Sequence, residues 1–483
     1  MKTNNRNRFL PIIAVALFFH FSISSFAQNT FESIFQLVNE PHRAVCLVEG
    51  SDKSFIVAGD INSGTQAPVC KVDSSGILIW DKFISQGFGA FTDAVCLSNG
   101  NLLVAGYNWL ETGVEESSLT KLTSNGDSVW MKKFVYGTQT KFTKLVYTIN
   151  HDIALSCEVL LAGSNRKIML ISADTAGLVQ WEANVIENDT NNLYFFNSLI
   201  QLPDSSFFLA GGYKYSVFKN KPLMARVSSA GELLYTRVHE LPWPEGSASV
   251  YGVCPDGKGN VMSCARFYPT SGGLSGIWMI KTNPSGDTLW TKTIAGEGPL
   301  YYPNAVTLCS DGGFAVAGSY FSNQMPDPFV DRAFIMRLDS SANVLWVKTY
   351  SSDKRGFLYD ITETPDRGFA SSGCVSNSSS ELAIYLVKTD TAGLITSTWQ
   401  PGAVADRLTV SPNPVADVCR VTLPQGCRQL NLLTLQGQTL LTINTTGKST
   451  LELSTNWLPA GLYLLRGETS TMRITEKIVK YAR

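Results

Sequence analysis

Seven copies of a strand–turn–strand unit, an aromatic residue four positions past the turn of nearly every copy, and no helical periodicity between them predict an all-β chain. The expected architecture is a seven-bladed β-propeller followed by a small C-terminal Ig-like β-sandwich. Asp73-Ser-Ser-Gly76 leads to Trp80, Ser124-Asn-Gly126 to Trp130, Asp174-Thr-Ala-Gly177 to Trp181 and Ser228-Ser-Ala-Gly231 to Tyr235. Pro284-Ser-Gly286 then leads to Trp290 and Asp339-Ser-Ser-Ala342 to Trp346, whereas Asp390-Thr-Ala-Gly393 is followed by Ser397 in the aromatic slot. Gly76 and Gly393 are 317 residues apart over six intervals, a period of about 53.

Each unit holds four strand candidates. In the clearest copy these are Asn304–Cys309, Phe314–Tyr320, Ala333–Leu338 and Val344–Thr349, β-branched and aromatic runs bounded by Gly, Asp, Asn and Ser. A tight hairpin needs a residue at positive φ, which Gly supplies, and Asp, Ser or Asn braces the turn. A four-stranded sheet with two apolar faces cannot stand alone, so neighbouring units must stack on it. The aromatic on each outer strand is therefore expected in the joint between blades, Trp290 among them. The seventh copy has a weak outer strand, and Phe31–Val38 precedes the first copy where such a strand would lie. This N-terminal strand is expected to close the ring, because an open edge invites unwanted pairing.

Before it, Lys2, Arg6 and Arg8 precede an apolar run from Phe9 to Phe21, and Ser25-Phe-Ala27 offers small residues for cleavage. The domains are then 1–27 signal peptide, 28–400 propeller, 401–407 linker and 408–483 a second unit. No later apolar run is long enough to span a bilayer. A net charge of −1, with charged residues at only 16%, gives no electrostatic footprint for nucleic acid. The ten cysteines contain no Cys-x-x-Cys pair, which leaves core packing ahead of metal or disulfide readings.

Chemistry is scarce along the chain. The mature part has three histidines, His42, His151 and His239, none in a nucleophile or metal motif, so no catalytic residue and no metal ligand is assigned. The long connections all fall between outer and first strands or between second and third strands, which emerge on one rim of a propeller. They are rich in aromatic residues, and Trp109, Trp243, Tyr301 and Tyr302 are the expected ligand-binding residues. The functional expectation is a non-catalytic binding module for glycan or protein. The alternative is a propeller hydrolase or lyase acting on polysaccharide, which a cluster of His, Tyr and acidic side chains at the channel mouth would favour.

Two resemblances add to this reading. The Asp-x-x-Gly-x-x-x-Trp turn is similar to the tryptophan-docking motif of quinoprotein-type propellers. It is closer still to secreted propellers built from Asp-Gly-Gly-Phe and Asp-Ser-Ser-Gly-x-x-x-Trp repeats. No residue matches a quinone or calcium ligand set, so the resemblance implies no cofactor. The tail, with Pro412-Asn413-Pro414, Leu458-Pro-Ala-Gly461-Leu-Tyr463-Leu and a basic last strand carrying Lys477 and Lys480, resembles the type A C-terminal sorting domain of type IX secretion cargo from the Bacteroidetes. That implies passage to the cell surface or medium, with the secretion machinery as partner.

Overall fold

The computed structural model describes residues 29–481 apart from 38–41, 62–65, 86–87, 110–113, 162–164, 189–192, 217–218, 243–245, 270–274, 295–299, 323–329, 352–353, 379–380, 397–407, 412, 414, 425, 436 and 470–472. All of its regular structure is β. Blade one runs through His42–Glu49, Phe55–Ile61, Gln66–Val72 and Leu78–Ser85, and the next five blades repeat that antiparallel order. Blade seven has only three strands of its own repeat, Arg355–Glu363, Phe369–Ser378 and Glu381–Thr389. Its fourth is Phe31–Phe35, hydrogen-bonded to Glu381–Thr389. Thr30 Oγ1 also accepts from the Thr396 amide at 2.8 Å, so the two ends of the propeller chain are clasped together.

The blades carry apolar side chains on both faces, and seven core clusters form, one in each joint. Leu103, Phe142 and Leu155 meet between blades two and three, Phe208, Met224 and Val250 between four and five, and Phe31, Val57 and Ile384 between seven and one. Nine of the ten cysteines are buried as free thiols and Cys96 is half-buried, as core residues of that size should be.

The repeat turn works across these joints. Asp73 Oδ1 accepts from the amides of Ser75 and Ile77, both at 2.9 Å, and Gly76 sits at φ +88°. The same bracing recurs at Asp174, Asn283, Asp339 and Asp390. Each turn lies on the outer-strand aromatic of the preceding blade. A Cβ built on Gly126 would meet Trp80, one on Gly177 would meet Trp130, and one on Gly393 would meet Trp346. Gly is thus required twice, for the positive φ and for the close approach. The Trp80 indole N–H donates to Ser124 O at 3.2 Å, and Lys82, two residues on, pairs with Asp127 at 3.0 Å.

The expected interblade position of these aromatics holds, with one refinement. Trp290 and its equivalents are half-buried, because one edge of each ring stays at the outer rim. Phe31 occupies the slot left open by Ser397: it faces Lys388 across the strands as Trp80 faces Lys71 and Trp290 faces Lys281. Gly76 rests on its ring, and Phe31 is 1% exposed.

Residues 409–480 form a separate small β-sandwich. Thr409–Ser411, Val418–Thr422 and Thr450–Ser454 make one sheet. Thr439–Asn444, Gln429–Thr434, Gly461–Glu468 and Arg473–Lys480 make the other, and Leu408, Val421, Leu432, Leu465 and Ile478 belong to the core cluster of this unit.

Because Phe31 is fully enclosed and Trp130 is not, Phe31→Ala should cost about 3–5 kcal/mol in urea unfolding and Trp130→Ala about 1–3 kcal/mol. The reverse order would mean that the closing strand contributes less than the repeat docking.

Candidate functional site

The first strand of every blade carries a one-residue bulge, at Val45, Thr92, Thr143, Asn197, Tyr251, Asn304 and Tyr359. A bulge leaves its extra residue outside the ladder and re-aims it. Five of these residues, Val45, Thr92, Thr143, Asn197 and Tyr359, line one cavity of about 400 Å³. Because blades one, two, three, four and seven all contribute first-strand residues, the cavity is the central channel. Its lining includes the beginnings of first strands (Arg43, Phe91, Lys141) and the ends of second strands (Asp60, Tyr107, Glu158), which places its mouth on the long-loop rim.

One position past each bulge stands Cys46, Asp93, Lys144, Ser198, Gly252, Ala305 or Asp360. Most of these residues tie one blade to the next. Asp93 Oδ2 accepts from Leu145 N at 3.0 Å and Oδ1 from Ala94 N at 3.0 Å. Asp360 Oδ2 accepts from Leu47 N at 2.8 Å and Oδ1 from Ile361 N at 2.9 Å. Ser198 Oγ donates to Tyr251 O at 2.7 Å, while the bulge residues Asn197 and Asn304 donate to Val250 O and Leu358 O. At Gly252 the backbones of blades five and six touch directly, where any Cβ would collide with Ala305 and Val306.

Lys144 lies among Asp93, Asp360 and Cys46, with its ammonium 3.7 Å from Asp93 and its pKa raised chiefly by the Asp93 charge. Its side chain stays 31% accessible from the channel although it is hemmed in by the first strands. Burial pushes the Asp360 carboxyl up to about 6, against the opposing pull of Lys144 and the Leu47 amide.

The rim above is built from cations set against aromatic faces. Lys141 stands 4.6 Å from the Tyr107 ring, Arg43 6.0 Å from Tyr359, Lys221 5.3 Å from Tyr215 and Arg355 5.9 Å from Phe357. Such pairs fix the ring planes and present a flat apolar surface beside a charge. Arg43 is also held bidentately by Asp60, with bonds of 2.8–3.0 Å, and this holds its pKa well above the ordinary arginine value. Glu158, across the strand pair from Lys141, has its pKa raised by burial.

Of the four expected ligand-binding aromatics, the structure describes the side chains of Tyr301 and Tyr302. Trp243 lies outside the described residues, and Trp109 ends the second strand of blade two, where its backbone pairs with Glu115. Tyr301 and Tyr302 belong to the first strand of blade six rather than to a loop, because pairing continues past Gly318 to Phe321. Tyr301 packs edge-on against Phe334 at 5.2 Å, in the core between blades five and six. Tyr302 lies half-buried against Arg266 and Tyr268.

Sequence reasoning passed over Tyr107, Lys141, Tyr359, Asp93 and Asp360. The available signal was charge within otherwise apolar first strands. His42 is buried and bonded at Nε2 to the chain at Phe35 and Leu37, and His151 lies in a tight turn of the opposite rim. His239 lies past the outer strand of blade four, with its ring near Thr288. The described channel mouth therefore gathers Tyr and acidic side chains with Lys and Arg, without histidine.

In the sandwich, Gly461, Tyr463, Lys477 and Lys480 share one hairpin, with Gly461 opposite Lys480. Asn413 clamps its last strand by donating to Lys477 O at 2.6 Å and accepting from Val479 N at 2.9 Å. Pro412 and Pro414 lie outside the described residues.

Fold and tail together define a seven-bladed β-propeller followed by a small β-sandwich. Residues 409–481 match the family described as the secretion system C-terminal sorting domain. The chain is thus a β-propeller cargo of type IX secretion, exported to the cell surface or extracellular space. No curated protein matches it in sequence.

Among solved structures it is similar to a puromycin hydrolase at 12% identity and TM-score 0.46, covering 79% of this chain and 58% of that one. It is also similar to the β-propeller domain of the trilobed protease from Pyrococcus furiosus, at 9% identity and TM-score 0.43, covering 75% of this chain and 100% of that one. A third likeness is the polysaccharide lyase Uly1, at 7% identity and TM-score 0.48, covering 72% and 90%.

Asp360 gives the channel a pH signature. Its folded pKa lies above the ordinary aspartate value near 4, so its contribution is complete below pH 4 and is lost as pH rises through about 6. Relative to Asp360→Asn, the natural chain should lose about 1–3 kcal/mol in urea unfolding between pH 4 and pH 7.5. A constant difference across that range would mean that the carboxyl titrates as if solvated.

Proposed function

We propose that the propeller is a non-catalytic carbohydrate-binding module whose ligand enters the channel mouth on the long-loop rim. The observation that carries this reading is the 400 Å³ cavity, in which Tyr107 and Tyr359 stand beside Lys141 and Arg43 with Asp60 and Glu158. Flat aromatic surface next to fixed donors and acceptors suits the apolar face and the hydroxyl edge of a sugar ring. The reading moves the site inward from the loop aromatics to residues on strand ends, which the blades hold rigidly.

A carboxyl with a raised pKa in a channel is also what a polysaccharide hydrolase or lyase would use. Two facts weigh against that role for Asp360. Both of its oxygens accept backbone amides, one from its own blade and one from the next, and Asp93 repeats the arrangement two blades on around the ring. Carboxylates bound in this way hold the ring together, and neither is among the residues lining the cavity.

The tail gives the module its destination. Cargo delivered outside the cell meets polysaccharide directly, which agrees with a sugar-binding role for the propeller.

Mature chain screened on a saccharide array should retain a glycan. Tyr107→Ala, Tyr359→Ala and Lys141→Ala, checked for fold by circular dichroism, should each weaken that binding at least about tenfold, a loss of 1.4 kcal/mol or more. Asp73→Asn on the opposite rim should leave it unchanged. Release of new sugar ends from a polysaccharide, abolished by Asp360→Asn, would overturn the non-catalytic reading. In the producing cell, deletion of residues 408–483 should leave a folded propeller that accumulates in the periplasm. Its normal appearance outside would contradict a sorting role for the tail.

A further inference from the structure

Most arginines of the propeller with assigned contacts are matched to an acid. Arg43, Arg226, Arg237, Arg337 and Arg355 each pair with an aspartate. Arg266 does not. It lies on the second strand of blade five, near the long-loop rim, and none of the described carboxylates pairs with it. Its guanidinium stands 3.7 Å from the Tyr302 ring centroid and 4.8 Å from that of Tyr268, and the two rings are 6.4 Å apart. The Nε atom is buried and makes no hydrogen bond. Half of the problem of a charged group near a protein interior is thus met by the ring faces, and the other half is left open.

Stacking fixes the plane of a guanidinium, so that little rotamer freedom remains to be lost when its fork is engaged. Nε is buried without a partner, the Tyr268 hydroxyl bonds the guanidinium and the residue is partly exposed, so an incoming ligand would engage the Nη edge. That edge matches the two oxygens of a planar or tetrahedral oxyanion and forms short charge-assisted bonds with it. The arrangement is built rather than incidental, because three side chains from two blades hold it: Arg266 and Tyr268 from the second strand of blade five, and Tyr302 from the first strand of blade six.

We infer that Arg266, held by Tyr268 and Tyr302, is a receptor for the carboxylate or sulfate ester of an acidic saccharide. The inference rests on the carbohydrate reading above and specifies its ligand as an anionic polysaccharide. It also gives Tyr302 a role that the core packing of Tyr301 does not allow. Uronate and sulfate ester share the oxyanion that the fork would hold, and separate probes distinguish them.

The mature chain is titrated calorimetrically with polygalacturonate, dextran sulfate, unmodified dextran and poly-glutamate, at low and at moderate salt. One of the two acidic polysaccharides should bind, with affinity that falls as salt rises. Preference for polygalacturonate assigns the carboxylate, and preference for dextran sulfate assigns the sulfate ester. Arg266→Gln and Tyr302→Leu should each weaken that binding at least tenfold. Arg266→Lys, which keeps the charge but loses the fork, should also weaken it and serves if the glutamine variant does not fold. Unchanged affinity in a folded Arg266 variant would overturn the inference. Equal affinity for poly-glutamate would replace saccharide by acidic peptide and overturn it as well. Binding of dextran that is lost on Tyr107→Ala but not on Arg266→Gln would leave the carbohydrate reading standing and refute the oxyanion receptor alone.

Discussion

The structure depends on one contact repeated around a ring: the turn of each blade seated on the outer-strand aromatic of the blade before it. The turn must bend tightly, so it needs a residue at positive φ, and it must approach a ring face, so that residue must lack bulk. Gly satisfies both demands at six of the seven turns, and Ala342 takes the seventh at φ +56°. Because every joint uses the same device, each blade is positioned by its neighbours. The ring is complete only when the last joint forms, and Phe31 forms it. Five residues, Phe31–Phe35, thereby close a sheet whose other strands lie more than 300 residues further along the chain.

At the inner radius a second set of contacts does the same work with different chemistry. Asp93, Asp360, Ser198, Asn197 and Asn304 reach the backbone of the following blade, and Gly252 lets two backbones touch. Buried polar groups are costly unless bonded, and here the bonds run across joints, so satisfying them also fixes the spacing of the first strands. The channel mouth inherits that rigidity. Its cations and tyrosines stand on strand ends between two sets of interblade ties, so a ligand meets a surface with little ordering left to lose.

Much of this was legible in the sequence because the docking contact is local in its demands. Gly-x-x-x-Trp states within five residues the turn that docks on the preceding blade and the ring that receives the next one, and the number of its copies states the blade count. Closure was readable for a different reason: one repeat lacked an aromatic and one strand stood unassigned. The register that puts Phe31 opposite Lys388 was not readable, since the pairing residues share no segment. The candidate site was harder still. Its position one past the bulge holds Cys, Asp, Lys, Ser, Gly, Ala and Asp in turn, so no motif recurs, and only the placement of charge among apolar strand residues marks it. Tyr301 and Tyr302 were read as loop residues because the first strand of that copy was taken to begin at Asn304. In the structure the proline pairs with Gly318 beside the bulge, a place where proline is tolerated within a sheet, and the strand runs through it.

The most direct test of the account is where a saccharide protects the mature chain from amide hydrogen exchange. Exchange would be followed with and without the glycans released from neutral and acidic polysaccharide digests. The account predicts slower exchange in peptides covering residues 104–108, 139–144 and 264–268 on the long-loop rim, with no change in the turns at 73–77 and 339–343. Protection confined to those turns, or spread evenly over all seven blades, would contradict a binding site at the channel mouth.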